Sequence, residues 1–188
     1  MLLAVNTLYR YGDDPAQIER IVWISSDRET CFVVNVFNNC YPYSRPVLDI
    51  EESSRDGTYI IEETDPWFQF SDLETLSARE LKRWNQAKEI IELIATSVFE
   101  PNIFLPNERA KMIQSASEQT GVHPSTIAKY LKRYWKRGKN HYALLSDYAS
   151  CGGSGHERTL HKKVGRRSVY TSLYKEMVIS DDVKRHFR

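Results

Sequence analysis

Residues 107–138 read NERAKMIQSASEQTGVHPSTIAKYLKRYWKRG, and the rest of the chain is best read outward from this stretch. Ala110, Ile113 and Ala116 recur at helical spacing, so a first helix is expected to run to about Gln119. Thr120-Gly121-Val122 interrupts it. A second helix then opens at Pro124, a position where the missing proline N–H has no helical partner to lose. Gly138 closes that helix, because glycine enters a left-handed cap without strain. Two helices joined by a short glycine-containing turn form a helix-turn-helix. Ala116 and Ser117 are small where the helices must approach. Val122, Ile127, Tyr130 and Leu131 supply an apolar inner face, and Tyr134 and Trp135 read as packing residues.

The outward positions of the second helix are Ser125, Ala128, Lys129, Lys132, Arg133, Lys136 and Arg137. From Gln119 to Ser146 there is no Asp or Glu, against six Lys and Arg. A helix with an apolar inner stripe, a short polar start and a cationic outer face suits the major groove of duplex DNA. Ser125, Thr126 and Lys129 are expected at base edges, with Lys132, Arg133, Lys136 and Arg137 nearer the phosphates.

Charge is distributed accordingly. The chain of 188 residues carries a net charge of only +1, but residues 1–76 have a net of −9, residues 77–140 of +6 and residues 141–188 of +4. Such asymmetry points to a nucleic-acid-binding part joined to something else. Three cysteines, Cys31, Cys40 and Cys151, form an odd and widely spaced set, which reads as free thiols in a reducing compartment. No apolar run approaches the roughly 20 residues of a membrane-spanning helix, and the N-terminus lacks the features of a signal peptide. A cytoplasmic, nucleoid-associated bacterial protein is expected.

Upstream of the motif, the pattern is that of β-structure. LLAVNTLYRY, IERIVWISS, TCFVVNVF and GTYIIEE are short runs rich in β-branched and aromatic residues. Asp27-Arg28-Glu29 reads as the turn of an antiparallel hairpin, whereas RPVLDIEESS fits either a short strand or a helical turn. The expected class is α+β: a small β-barrel-like domain over 1–70, then a helix-turn-helix domain over 76–148. The acidity of the first part argues against its contacting DNA. Ser77-x-x-Glu80 is a capping box that opens a helix bearing Leu81, Trp84, Ala87, Ile91 and Ile94 on one face.

Downstream, HYALLSDY suggests a short packed segment and CGGSG a break. Residues 149–179 then read as an extended basic arm. Arg158, Lys162, Lys163, Arg166 and Arg167 could track a DNA backbone or enter a narrow minor groove. Its plain alternative is a linker that touches nothing. Ser180-Asp181-Asp182 looks like the start of a further helix, cut short over 180–188, as in a fragment of a longer protein.

STIAKYLKRYWKRGKNHYALLSDY, followed by GGSGHER and KKVGRR, resembles the N-terminal part of TnsB-type transposases, members of the DDE transposase/retroviral-integrase superfamily. The resemblance is clearest from Pro124 to Arg167 and weaker toward both ends. It implies recognition of repeated sites at the ends of a mobile element, with other transposition proteins as partners. It also implies a downstream RNase H-like domain that cuts and joins strands with two divalent metal ions. That chemistry needs three carboxylates on a β-rich fold. The carboxylates here concentrate in 1–76, too short a segment to hold it, so the chain is expected to bind DNA without cleaving it and to need no cofactor of its own.

Other chemistries are poorly supported. Cys151, His156 and His161 lack the C-x-x-C pair of a zinc site, and no Cys–His nucleophile pair has an orienting acid or oxyanion donor. There is no GxxxxGK[ST] phosphate loop, and neither a small-molecule substrate nor a membrane is implied. The readings that compete with end recognition are a stand-alone helix-turn-helix regulator, dimeric on a palindrome and carrying a β-rich sensor, and a protein-interaction module with an incidental basic helix.

Overall fold

A computed structural model of the chain describes residues 3–14, 16–68 and 73–146. Five strands form one antiparallel sheet: β1 (Leu8–Tyr11), β2 (Ile18–Ile24), β3 (Thr30–Asn35), β4 (Tyr43–Pro46) and β5 (Tyr59–Glu62). Their order is β4-β3-β2-β1-β5. The helices are α1 (Val47–Arg55), α2 (Ala78–Ile94), α3 (Pro106–Thr120) and α4 (Pro124–Lys136).

The class is therefore α+β as expected, but the sheet is open and not barrel-like. β4 and β5 are its two edges, and α1 carries the chain from one edge to the other. The ambiguous stretch RPVLDIEESS resolves into the end of β4 and the helix α1. A barrel hides one face of its sheet from water, whereas helices here cover both. Tyr9, Ile21, Cys31 and Val33 pack with Val47 and Ile50 of α1 in one cluster. Val22, Phe32 and Val34 pack with α2, α3 and α4 in another. With both faces covered, β3 is an unbroken apolar run and not an alternating one, and five of its six residues are buried. Val22 is the extra residue of a bulge between Ile21 and Trp23, which lets Val22 and Trp23 both join the helix-side core.

The turn at Asp27-Arg28-Glu29 joins β2 to β3 as expected, with Arg28 in the left-handed region at φ 59°. Ser77 caps α2, its side chain accepting from Glu80 N while Glu80 reaches back to the Ser77 backbone. The inward residues of α2 are Ala87, Ile90, Ile91 and Ile94; Leu81 is exposed. The segment after α4 turns inward at Ala143, Leu144 and Leu145, all buried. Among the described residues, no helix is long and apolar enough to cross a membrane.

The two described cysteines differ in access. Cys31 is fully buried, and burial pushes its thiol up to about 11. Cys40 is partly exposed. Iodoacetamide at neutral pH should thus alkylate Cys40 while sparing Cys31 in the folded protein, as peptide mass spectrometry would read. Equal labelling would mean that the face under α1 opens readily.

Candidate nucleic-acid interface

α2, α3 and α4 contact one another pairwise and form a three-helix unit. α3 ends at Gly121, whose φ of 68° is left-handed and whose N–H bonds to the Ser117 carbonyl. Three residues separate α3 from α4, and Ile127, Leu131 and Trp135 of α4 are completely buried. Ile113 and Ala116 of α3 face inward as expected. One turn earlier the inward residue is Arg109, 7% exposed, and Ala110 is exposed. Arg109 is tolerated there because its guanidinium donates to the Phe104 carbonyl at 2.8 Å and lies 3.8 Å from the centre of the Tyr41 ring.

The start of α4 is capped by a residue the sequence reading passed over. His123 Nδ1 accepts from the Ser125 backbone N–H at 3.2 Å and lies 2.8 Å from Ser125 Oγ. An accepting Nδ1 puts the ring proton on Nε2. No standard capping residue stands at position 123, so the signal was weak.

The expected outer face divides in two. Ser125 and Lys129 are exposed, and Thr126 and Arg133 are half-buried, so the N-terminal two-thirds of α4 presents the polar and cationic surface. Among the described residues no carboxylate pairs with Lys129, Lys132 or Arg133. Toward its C-terminal end α4 leans on the sheet. Lys132 Nζ donates to the Asn39 carbonyl at 3.1 Å and lies 4.4 Å from the Tyr41 ring centre, while Lys136 Nζ lies 5.2 Å from that of Trp67.

Arg137 departs from the expected outward ring. It is 6% exposed, 4.5 Å from the Trp67 ring centre, and donates to the Leu145 carbonyl at 3.4 Å. The reason is geometric. At 100° per residue it falls on the flank shared with Tyr130, and as the C-cap it is overlaid by the chain that returns through Leu145. It is therefore not part of the outward face. Arg158, Lys162, Lys163, Arg166 and Arg167 lie outside the described residues, as do Cys151, His156, His161 and the segment 180–188.

A clasp missed in the sequence holds this unit to the sheet. Arg20 of β2, 2% exposed, donates through Nη2 to both Asp65 oxygens at 2.8 Å and through Nε to the Lys136 carbonyl at 3.0 Å. The last carbonyls of a helix lack intrahelical donors and carry partial negative charge, so a buried cation satisfies both needs. Asn6 Nδ2 donates to the Gly138 carbonyl at 3.1 Å, and Lys139 Nζ bonds to the Val22 carbonyl at 3.0 Å and to Glu100. Gly138 itself has φ 92°, and a Cβ there would meet Arg20 Nη1 at 3.2 Å.

Residues 84–148 match the family described as the TnsB second domain. This stretch is similar to a TnsB second domain. It covers most of α2 and all of α3 and α4, so the basic helix-turn-helix lies wholly inside it. Over 178 residues the chain is also 26% identical to the transposon Tn7 transposition protein TnsB of Escherichia coli, an alignment covering 88% of this chain. The chain spans 23% of that relative's length. The resemblance read from residues 124–167 thus holds, and the chain is similar to the N-terminal region of TnsB-type transposases.

Proposed function

We propose that the chain recognises duplex DNA at the ends of a mobile element, as the end-binding part of a cut-and-join transposase. The observation that carries this reading is α4 itself: fully buried Ile127, Leu131 and Trp135 on one side, and a cationic outer side without a carboxylate on the other. A helix so divided lies in the major groove with its N-terminal residues nearest the bases. Ser125, Thr126 and Lys129 read base edges, with the Ser125 hydroxyl oriented by His123. Arg133, Lys132 and Lys136 contact phosphates. The arm bearing Arg158, Lys162, Lys163, Arg166 and Arg167 follows an adjacent backbone or minor groove.

In this reading the chain binds without cutting and needs no cofactor. The divalent ions belong to a catalytic domain elsewhere in the transposase, and other transposition proteins act alongside it at the bacterial nucleoid. The similarity to the Tn7 transposition protein favours end recognition over a regulator with a sensor domain.

Selection from random duplex DNA tests the reading directly. A non-palindromic motif of one to two helical turns, bound by one chain, supports it. A palindrome bound by two chains, or no enriched motif, overturns it. On the selected duplex, Lys129→Ala should cost about 1–3 kcal/mol of affinity and relax preference at one base pair, while Arg133→Ala weakens selected and scrambled duplexes nearly alike. An unchanged ratio of selected to scrambled affinity in Lys129→Ala would remove that residue from base reading.

A further inference from the structure

The β3–β4 connection lies beside the basic helix, although it belongs to the acidic part of the chain. From Thr30 to Leu48 there is no Asp or Glu, within a segment whose first 76 residues have a net charge of −9. All but the last two residues of this carboxylate-free stretch form the β3–β4 hairpin. Its loop meets α4 at Lys132, which donates to the Asn39 carbonyl at 3.1 Å and covers the Tyr41 ring.

The loop is also held in shape. Asn35, 4% exposed, accepts the backbone N–H groups of Phe37 and Asn38 through Oδ1, each at 2.9 Å, and donates to the Ala16 carbonyl. Phe37, Asn38 and Asn39 beyond it are exposed.

We infer that this loop is a second DNA-contacting element, gripping the phosphate backbone at the margin of the groove that α4 occupies. The inference rests on the DNA-binding reading of α4. A major groove about 12 Å wide is nearly filled by one helix, so whatever flanks the helix meets the bordering strand. Lys132 is one helical turn beyond Lys129, about 4.5 Å along the axis, which puts the Asn39 backbone at that margin. Asparagine amides donate to phosphate oxygens, and the carbonyl contact uses one of the three Lys132 protons. A loop already shaped by Asn35 loses little conformational freedom on binding. The absence of carboxylates along the hairpin is what proximity to phosphate requires, and the acidic residues lie in other parts of the segment.

The test uses the full chain, the selected duplex and a scrambled one, with affinity followed against salt. The double variant Asn38→Asp/Asn39→Asp should bind both duplexes at least tenfold more weakly and lose hydroxyl-radical protection along one flank of the site. Asn38→Lys should tighten both several-fold and steepen the salt dependence by about one counterion, a gain that misfolding cannot mimic. Leu48→Lys adds the same charge to an exposed position of α1, which packs on the opposite face of the sheet, and should leave affinity within about twofold. Wild-type affinity in the double variant, alongside weakened binding by Lys129→Ala, would overturn the loop contact and leave the reading of α4 standing. Equal gains from Asn38→Lys and Leu48→Lys would do the same. A wild-type chain without duplex affinity would overturn both.

Discussion

Arg20→Ala is expected to lower the unfolding free energy by about 3–5 kcal/mol, the range found when one member of a buried ion pair is removed. The side chain is 2% exposed and makes three hydrogen bonds at 2.8–3.0 Å. Its loss leaves Asp65, whose side chain is 24% exposed, without its bidentate partner, and strips the Lys136 carbonyl of a donor at the end of α4. Arg20→Lys should recover only a minor part, because one ammonium cannot span both the carboxylate and the helix terminus as the planar guanidinium does. Arg20→Met with Asp65→Asn should recover much more, since it removes both charges and keeps an acceptor for the Trp67 backbone N–H, now bonded at 2.9 Å. Urea unfolding followed by tryptophan fluorescence measures this well, because Trp23, Trp67, Trp84 and Trp135 all lie in the described unit. A loss below about 1 kcal/mol for Arg20→Ala would show that the clasp is not what joins sheet and helices.

Trp135→Ala should cost a similar amount, about 3–5 kcal/mol, by a different mechanism. The indole is completely buried, with the Phe104 ring 5.6 Å away and the Tyr41 ring 6.3 Å away between centroids. It stands where α4 meets the helix-side face of the sheet, so truncation opens a cavity at the junction of the core. Its Nε1–H finds no acceptor among the described residues. Trp135→Phe should therefore be much milder. The smaller ring leaves a partial void, but it also removes a buried donor whose desolvation costs about 1–3 kcal/mol. Comparable losses for Phe and Ala would mean that the N–H has a partner in solution. DNA affinity should follow stability here, because Trp135 sets how α4 is carried on the core.

The helix-turn-helix was legible because its signals are local. Gly121, Pro124, the stripe Ile127–Leu131–Trp135 and the missing carboxylates each act within a turn or two of helix, and all four agree. The β2–β3 hairpin and the Ser77 cap were legible for the same reason. The barrel expectation failed because strand propensity reports extended backbone but not what covers each face. The unbroken apolar run of β3 was the available sign that both faces are buried. Arg137 was misplaced because a periodic pattern says nothing of the chain that returns over the end of a helix.

By itself, then, the sequence determined that α4 exists, where it begins and ends, and that its outer side is cationic. Spacing and charge within one helix are short-range properties, and the family resemblance lay in the same residues. Only the tertiary structure decided which of those cations are outward. Arg20, Asp65 and Tyr41 are separated from α4 by tens of residues, and no periodicity links them to it. Arg20 holds the Lys136 carbonyl, Tyr41 and Asn39 hold Lys132 at the flank of the helix, and Trp67 lies against Lys136 and Arg137, of which Arg137 alone is buried, so that Ser125, Lys129 and Arg133 stand foremost. A buried guanidinium must find its carboxylate and its helix terminus wherever the chain brings them, and closure between residues 45 and 116 positions apart is set by the packed core as a whole.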